Sequence, residues 1–224
     1  PNADLPPDVY RQLELDASFE QIHVTPNSLD SFINSNKLDG FNVTIPHKLS
    51  IIPFLKGLDE AAKTIGAVNC VHNGKGYNTD WIGFLKAMEL NGVDLNGKDC
   101  TILGAGGAAR AIAYGLVQAD VNSILISNRT QTKADQLLDW INSIFPTNFQ
   151  SKNSDIIINC TPLGMWPDTE SMPEVEIQNG QILADTIYNP LETAWLKAGK
   201  TKGAKTIDGL DMFIAQGLAS ADIW

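Results

Sequence analysis

A lysine and an aspartate, each in a nearly uncharged stretch, are the residues best suited to acid–base chemistry. Lys48 follows the strand-like residues 41–45, and Asp80 stands at the start of a helical pattern. An ammonium group can hydrogen-bond a carbonyl oxygen as it gains negative charge and then give it a proton, while a carboxylate holds the ammonium in place. The pair would suit the interconversion of a ketone and its alcohol. Taken singly, a lysine such as Lys48 is usually solvated and an aspartate before a helix, such as Asp80, is usually a cap; their uncharged surroundings favour the catalytic interpretation.

A glycine cluster further along predicts a site for a dinucleotide. Gly104, Gly106 and Ala109 match the pattern G-x-G-x-x-G/A between a strand-like run at 99–103 and helical spacing. Gly104 would allow a sharp turn, Gly106 would let a pyrophosphate approach the backbone, and Ala109 would let the helix pack closely on the strand. The N-terminus of the helix would then face the phosphates. The same pattern also occurs as a plain strand–helix turn.

The end of the next strand-like run indicates which dinucleotide would bind. Residues 122–127 predict a second parallel strand, and Arg129 follows it. An NAD site usually has an acidic residue near this point for the ribose 2′-hydroxyl, and this chain has none at the strand end. Instead it has Arg129 and, one helical turn later, Lys133, which suit a 2′-phosphate. The sequence therefore predicts NADP, unless the two cations are simply solvated.

Composition and charge narrow the classes of protein and of partner that these residues could serve. The chain has 224 residues, 43% of them hydrophobic, and a net charge of −10, which argues against nucleic acid and anionic membranes as partners. No apolar run reaches the ~18 residues of a membrane span, and no secretory leader is evident. Cys70, Cys100 and Cys160 lie far apart in apolar runs, which predicts buried free thiols in a reducing cytoplasm. No cysteine or histidine pattern indicates a metal.

Hydrophobic periodicity predicts an α/β fold with a parallel sheet after residue 99, because strands and helices alternate there. Strands are predicted at 11–15, 21–24, 41–45, 66–71, 99–103, 122–127, 154–160, 181–185 and 204–207. Helices are predicted at 28–33, 49–55, 81–90, 111–117, 131–144, 190–198 and 212–219, with a turn at Asn73-Gly74. The interval from 144 to 155 is short and polar for a crossover, so we expect an abbreviated strand or absent residues there.

The chain resembles the shikimate dehydrogenases from about residue 29 to residue 220, because seven motifs occur in the order of that family. They are F-N-V-T-I-P-H-K at 41–48, G-A-V-N at 66–69, Y-N-T-D at 77–80, G-A-G-G-A-A-R at 104–110, N-R-T at 128–130, N-C-T-P-L-G-M at 159–165, and D-G-L through glutamine at 208–216.

The resemblance implies an N-terminal α/β substrate domain at 1–80, to which 209–224 return, and a Rossmann-type doubly wound NADP-binding domain at 81–208. It implies the NADPH-dependent, reversible reduction of 3-dehydroshikimate to shikimate in chorismate and aromatic amino acid biosynthesis. We expect a cytoplasmic monomer or homodimer.

The resemblance also implies a role for each matching residue. Lys48 is the acid–base lysine and Asp80 its partner, and both touch the substrate. Substrate hydroxyls would be held by Asn42, Thr44, Asn69 and Gln216, with Tyr188 at the substrate's edge. Cofactor contacts are implied for Glu60, Thr186 and Gly209 near the nicotinamide half, for Gly104, Ala105, Gly106, Gly107 and Ala108 in the glycine turn, for Asn128, Arg129, Thr130 and Lys133 at the 2′-phosphate, and for Thr161. Many family members have arginine where Lys133 stands.

Departures from the family pattern leave alternatives open. The family's Ser-x-Ser motif for the substrate carboxylate has no match in residues 1–28, and the stretches 70–76 and 149–154 look short, so we expect residues to be missing at all three places. Three other interpretations are a quinate/shikimate dehydrogenase that uses NAD, a non-catalytic domain that senses shikimate-pathway ligands, and a methylenetetrahydrofolate dehydrogenase. Arg129 argues against the first and the Lys48–Asp80 pair against the second. The third fits poorly with the motifs at 77–80 and 128–130.

Overall fold

The computed structural model describes residues 20–35, 38–145 and 154–224. The chain divides into two units, Pro1–Lys37 and Leu38–Trp224. In the described part of the first unit, a 3-10 turn at Pro26–Ser28 leads into α1 (Leu29–Ser35), which confirms the predicted helix.

Two strand predictions fall in this first unit. The strand at 21–24 is wrong, since those residues pair with no other strand in the described part of the chain. Alternation over four residues does not hold a strand without a partner. The strand at 11–15 lies outside the described residues, as do residues 1–19 of the stretch 1–28 in which the carboxylate motif was sought.

The second unit begins with a small mixed sheet of order β1-β3-β4-β2. β1 (Gly40–Asn42) pairs antiparallel with β3 (Cys70–His72), β3 forms a hairpin with β4 (Lys75–Tyr77), and β2 (Gly57–Leu58) pairs parallel with β4. Asn73 and Gly74 close the hairpin with φ of 51° and 80°, which matches the two-residue turn that favours Asn-Gly. The residues present at 70–76 thus close a complete hairpin.

The remaining strands form a parallel sheet of order β6-β5-β7-β8-β9. The strands are β5 (Asp99–Leu103), β6 (Ser123–Ser127), β7 (Ile156–Asn159), β8 (Ile182–Asp185) and β9 (Lys205–Ile207). All five lie within two residues of their predicted bounds. The chain moves from β5 to β6 on one side and then crosses to β7 on the other side of β5. Ligands of such sheets bind where the strand order reverses, beyond the carboxyl ends of the strands.

Helices connect the strands of the two sheets. They are α2 (Glu60–Ile65), α3 (Asp80–Leu90), α4 (Gly107–Gln118), α5 (Gln131–Ile144), α6 (Ala194–Thr201) and α7 (Leu210–Ala221). One buried cluster contains Ile102, Ile156 and Ile158, and a second contains Leu103 and Ile157. Because successive strand residues face opposite sides, both faces of the sheet are buried, as a parallel sheet requires. The predicted α/β fold class is confirmed.

Several predicted elements differ from the structure. The helix at 49–55 is wrong: only a 3-10 turn forms, at Ile52–Phe54, because Pro53 lacks the N–H that a longer helix needs. The helix predicted at 190–198 instead begins at Ala194, since Thr193 caps it by accepting a hydrogen bond from the Leu196 amide at 3.3 Å. The strand predicted at 41–45 ends at Asn42, and that at 66–71 begins at Cys70.

Two further observations concern what the described residues do not contain. Within 20–35, 38–145 and 154–224, no helix is long and apolar enough to cross a membrane. In the same residues no group of three histidine, cysteine or acidic side chains is arranged to hold a metal ion. The interval at 146–153, where an abbreviated strand or missing residues were expected, lies outside the described residues.

Candidate active site

Lys48 and Asp80 form an ion pair in a partly buried position. Lys48 Nζ lies 2.6 Å from Asp80 Oδ2, and the side chains are 18% and 6% exposed. Asp80 is the first residue of α3, where the helix dipole favours a carboxylate. The Lys48 carbonyl accepts a hydrogen bond from the Val68 amide at 2.8 Å, which ties the lysine to the segment that leads into β3. The structure thus brings together the two residues from which acid–base chemistry was predicted.

Asn69 holds the other oxygen of the same carboxylate. Its Nδ2 donates to Asp80 Oδ1 at 2.9 Å and to Thr79 Oγ1 at 2.9 Å, and its Oδ1 accepts from the Thr79 amide at 2.7 Å. Nδ2 also lies 3.2 Å from Gln216 Oε1. Asn69 is buried, so these bonds are shielded from competing water. The amide therefore orients Asp80, a task that the sequence did not indicate.

Gln216 reaches this cluster because α7 packs tightly on α3. Thr79 Oγ1 donates to the Gln216 carbonyl at 3.0 Å and lies 3.1 Å from Ser220 Oγ. A Cβ on Gly83 of α3 would lie 2.7 Å from the Met212 carbonyl, so the close approach requires glycine. Thr79, Ser220 and Gly83 were not predicted as part of the site. The only signal in the sequence is a glycine inside a helix.

The glycine turn after β5 has the geometry that the fingerprint predicts. Gly104 has a φ of 109°, and a Cβ there would lie 3.0 Å from the Cys160 carbonyl, so glycine is required. Gly106 precedes α4 and has open space where a Cβ would be. The first residue of α4, Gly107, has its Cβ position 3.5 Å from Lys48 Cβ. The N-terminus of α4, where phosphates would bind, therefore adjoins the ion pair.

The residues predicted for a 2′-phosphate surround the end of β6 and the start of α5. Arg129, Thr130 and Lys133 are exposed, and Asn128 Nδ2 donates to the Thr130 carbonyl at 2.9 Å. No carboxylate in the described part of the chain forms an ion pair with Arg129 or Lys133. The two cations are thus available to an anionic ligand.

Four other residues predicted for the site, Asn42, Thr44, Glu60 and Tyr188, are exposed. Asn42 and Thr44 lie at the end of β1, and Glu60 is the first residue of α2. The Tyr188 ring is stacked on Phe213 of α7 with centroids 4.3 Å apart and an interplanar angle of 24°. Phe213 was not predicted, although it fixes the plane of the Tyr188 ring.

Thr161, Thr186 and Gly209 shape the loops beyond β7 and β8. Thr161 Oγ1 donates to Asn159 Oδ1 at 2.6 Å, and Thr186 Oγ1 donates to the Asn159 carbonyl at 2.9 Å. A Cβ on Gly209 would lie 2.6 Å from the Thr186 carbonyl, so this position must be glycine. Each residue therefore has a structural task at the edge of the sheet where a cofactor would lie.

Asp185 is a buried carboxylate that sequence reasoning missed. It ends β8 and accepts hydrogen bonds from Asn159 Nδ2 at 3.1 Å, the Ile187 amide at 3.0 Å and Thr193 Oγ1 at 2.9 Å. Burial raises the pKa of Asp185 to about 6, against the opposing effect of these donors. The only signal was an acidic residue that closes an apolar strand.

The three cysteines are free, as predicted. Cys70 and Cys100 are buried, and Cys160 is partly exposed as a residue. Burial raises the pKa of the Cys100 thiol to about 12 and raises that of Cys160 as well, where the charges of Asp185 and Asp80 add to the effect. These thiols are therefore poor nucleophiles at neutral pH.

The fold and the site together define a class of protein. A proton donor next to the first turn of a dinucleotide-binding helix is the arrangement of a nicotinamide-dependent oxidoreductase, since hydride and proton must reach adjacent atoms of one substrate. The open glycine turn, the N-terminus of α4 and the two exposed cations, Arg129 and Lys133, fit a dinucleotide that carries a 2′-phosphate.

Comparisons with known proteins identify the family within this class. The family model of the shikimate dehydrogenase substrate-binding domain matches residues 6–71, and that of shikimate/quinate 5-dehydrogenase matches residues 86–163. The protein named shikimate dehydrogenase (NADP(+)) of Methanosphaera stadtmanae is 39% identical, with 96% of this chain and 83% of the relative covered. Its counterpart in Moorella thermoacetica is 40% identical over 90% of this chain and 75% of the relative. The chain belongs to the shikimate dehydrogenase family.

Solved structures agree with this assignment. A crystal structure of a shikimate dehydrogenase in complex with NADP+ has a TM-score of 0.90 and 39% identity, covering 96% of this chain and 82% of that one. The ligand-free 5-ketofructose reductase of Gluconobacter sp. strain CHM43 has a TM-score of 0.86 and 35% identity, covering 100% and 89%. The first of these combines the predicted fold with the predicted cofactor.

Proposed function

We propose that this chain is an NADPH-dependent shikimate dehydrogenase that reversibly reduces 3-dehydroshikimate to shikimate. The observation that carries the proposal is the 2.6 Å contact between Lys48 Nζ and Asp80 Oδ2, directly beside the first turn of α4. The names of the relatives, which specify NADP, support the choice of cofactor. The ion pair argues against a sensor without catalysis, because ligand binding alone does not need a proton donor.

The residues of the chain divide the reaction between them. When NADPH is bound, it supplies the hydride. Lys48 Nζ hydrogen-bonds the ketone oxygen, stabilises the negative charge that develops there, and gives it a proton to form the alcohol. Asp80 holds the ammonium in place and Asn69 holds Asp80. In the direction of oxidation, Lys48 takes the proton back from the hydroxyl.

Further side chains are assigned to the substrate and the cofactor. Substrate hydroxyls are assigned to Asn42, Thr44, Asn69 and Gln216, with Tyr188 at the edge of the ring. The pyrophosphate is assigned to the turn of Gly104, Ala105, Gly106, Gly107 and Ala108, the 2′-phosphate to Asn128, Arg129, Thr130 and Lys133, and the nicotinamide half to Glu60, Thr186 and Gly209, with Thr161 as a further cofactor contact. The exposure of Arg129 and Lys133 supports the 2′-phosphate assignment.

Residues 1–80 with 209–224 form the substrate domain in this proposal, and 81–208 the NADP-binding domain. Trp224 Nε1 donates to the Val71 carbonyl at 3.2 Å and its ring packs against Gly40, which supports the return of the last helix to the first sheet. We further propose a cytoplasmic enzyme that works as a monomer or homodimer. Three free thiols support a reducing compartment.

The proposal is tested by the oxidation of shikimate with NADP, followed through the absorbance of NADPH. Parallel assays replace shikimate with quinate, and NADP with NAD. We expect the largest kcat/KM for shikimate with NADP. A larger value for quinate with NAD would assign the chain to the rival activity. A preference for reducing 5-ketofructose would assign it to the activity for which the Gluconobacter protein is named.

Lys48→Ala tests the assignment of the proton donor. Because Lys48 acts on the oxygen whose charge changes in the transition state, kcat should fall by roughly 10²–10⁴-fold. NADPH affinity, measured by fluorescence titration, should stay near that of the unmodified protein. The matched control is Lys86→Ala on the exposed side of α3, which should retain full activity.

Asp80→Asn should also lower kcat, because it leaves the ammonium unoriented. The double variant should lose much less than the product of the two single losses, since the two residues act as a unit. An unchanged kcat with a raised KM in Lys48→Ala would show that Lys48 only binds substrate.

A further inference from the structure

Arg110 stands one turn into α4, where a cation would be expected to reach toward a bound phosphate. In the structure it points elsewhere. Its Nε donates to the Ile65 carbonyl at 2.5 Å, and its guanidinium carbon lies 4.4 Å from the centroid of the Trp140 ring. Burial lowers the pKa of Arg110, and no carboxylate of the described residues forms an ion pair with it. Its partners are thus a carbonyl and an aromatic face.

Trp140 completes the same arrangement from α5. Its Nε1 donates to the Thr64 carbonyl at 3.0 Å, so two successive carbonyls at the end of α2 accept bonds from two different helices. The next residue, Gly66, ends α2 with a φ of 70°, and Arg110 Nη2 lies 3.3 Å from its Cβ position. A cation at the C-terminal end of a helix is stabilised by the last carbonyls and the dipole. We call the contacts of Arg110 and Trp140 with residues 64–66 the α2 clamp.

The segment held by the α2 clamp leads directly to the ion pair. The Ala67 carbonyl accepts from Asn78 Nδ2 at 3.0 Å, and the Val68 amide donates to the Lys48 carbonyl at 2.8 Å. Asn69 then binds Asp80 through its side chain. A shift of Gly66 would therefore move the supports of both Lys48 and Asp80.

We propose that Arg110 is a positioning residue, which sets the Lys48–Asp80 pair against the cofactor-binding turn through the α2 clamp and does not bind phosphate. The fall in kcat that we expect from this inference rests on the proposed function. Arg110 and Gly107 belong to the same helix, so the clamp fixes residues 67–69 relative to the turn that would carry the cofactor. Loss of the clamp misaligns proton donor and hydride donor and leaves the phosphate site intact.

The test compares Arg110→Met and Arg110→Lys with Trp140→Phe, which keeps the aromatic face and removes only the N–H. We expect kcat for shikimate oxidation to fall by about 10–10²-fold in Arg110→Met, the scale of a misplacement of about 1 Å. Arg110→Lys should recover part of the loss, and Trp140→Phe should show a smaller fall. The primary deuterium isotope effect, with shikimate labelled at the carbon that carries the reacting hydroxyl, should rise as hydride transfer becomes limiting.

NADPH binding, measured by fluorescence titration without turnover, separates the possible roles of Arg110. We expect each Arg110 variant to bind NADPH with an affinity within about twofold of that of the unmodified protein. A stoichiometry of one NADPH per chain would show that the variants are folded, so that their kcat values can be compared. A tenfold loss of NADPH affinity with unchanged kcat would overturn the proposal and make Arg110 a phosphate ligand. An unchanged kcat and isotope effect in all three variants would overturn it as well.

Hydrogen exchange gives a measurement that does not depend on the reaction. In Arg110→Met, the amides of Val68 and Asn69 should exchange faster, while those of β5 should not. If the unmodified protein bound NADPH but did not oxidise shikimate, the proposed function would fail while the α2 clamp would still be tested by exchange. Unchanged exchange at residues 66–69 would overturn the clamp even in an active enzyme.

Discussion

The two oxygens of the Asp80 carboxylate accept hydrogen bonds from different donors, one charged and one neutral. Lys48 therefore keeps N–H groups with which it can bind a substrate. Oδ2 accepts from the Lys48 ammonium and Oδ1 from the Asn69 amide, so both carboxylate oxygens are occupied. An ammonium carries three donors, and the bond to Asp80 uses one of them. Two N–H groups of Lys48 thus remain for a substrate oxygen. Asn69 contributes by preventing the carboxylate from rotating away.

The choice of cofactor depends on a residue that makes no ion pair with any described side chain. If Arg129 pairs with the 2′-phosphate, Arg129→Ala should weaken NADPH binding by about 1.5–3 kcal/mol, the range for hydrogen bonds to charged groups. NADH binding should change little, since NADH lacks that phosphate. Titration of both nucleotides against both proteins measures the difference. Equal losses for NADPH and NADH would mean that Arg129 has a structural role.

At the scale of elements, the turn between β5 and α4 combines an unusual backbone angle with a crowded position. Gly104→Ala should destabilise the protein by roughly 1–3 kcal/mol, because φ is 109° and the new Cβ would lie 3.0 Å from the Cys160 carbonyl. NADPH affinity should fall as well, since the turn would have to move. Urea unfolding and nucleotide titration provide the two measurements.

Gly97→Ala is the matched control for that substitution. Gly97 also has a positive φ, 68°, but a Cβ there would meet nothing within 4 Å. Its cost should therefore reflect the backbone angle alone, roughly 1–2 kcal/mol, with no effect on NADPH affinity. Equal losses of stability in the two variants would show that crowding at Cys160 contributes nothing.

Most of the longer elements were predictable from the sequence, whereas several of the shortest were not. The parallel strands β5–β9 and the helices α3, α4, α5 and α7 were predicted because apolar residues recur over five or more positions or end at clear turn residues. β2 has two residues, β4 has three and α2 has six, too few to carry a period. The start of α6 was misplaced because Pro190 resembled a first helical residue.

The candidate site was predictable where residue type coincides with a position at the end of a predicted strand, as for Lys48 and Gly104, or at the start of a helix, as for Asp80. The orienting role of Asn69, the buried Asp185 and the inward direction of Arg110 depend on contacts between distant segments, such as Arg110 with Ile65, which local sequence does not encode. The resemblance supplied Gln216, but not Thr79 and Ser220, which fix its backbone.

At the scale of the whole molecule, Asp185 should impose a pH dependence on stability. Its pKa is about 6 in the folded state and near 3.8 when exposed, so between these values the folded protein binds more protons than the unfolded chain. The free energy of unfolding should therefore decline as pH rises from 4 to 7. Relative to Asp185→Asn, which does not titrate, the decline should be on the order of 3 kcal/mol.

Urea unfolding of both proteins at several pH values between 4 and 7 measures that difference. Asp168→Asn, in an exposed loop, is the matched control. A difference between the protein and Asp185→Asn that stays constant across this range would show that Asp185 keeps its charge on folding. A free energy of unfolding that rises with pH relative to that of Asp185→Asn would mean that folding lowers the pKa of Asp185 rather than raising it.

The bond between Asn69 and Gln216 joins residues that are 147 positions apart, and this separation has a consequence for the chain as it leaves the ribosome. At ~5–20 residues per second, roughly 7–30 s pass between the synthesis of one partner and the other. Strands β5 to β7 and the helices between them are synthesised within that interval, so the glycine turn and the residues assigned to the 2′-phosphate are made before Gln216 can complete the support of Asn69.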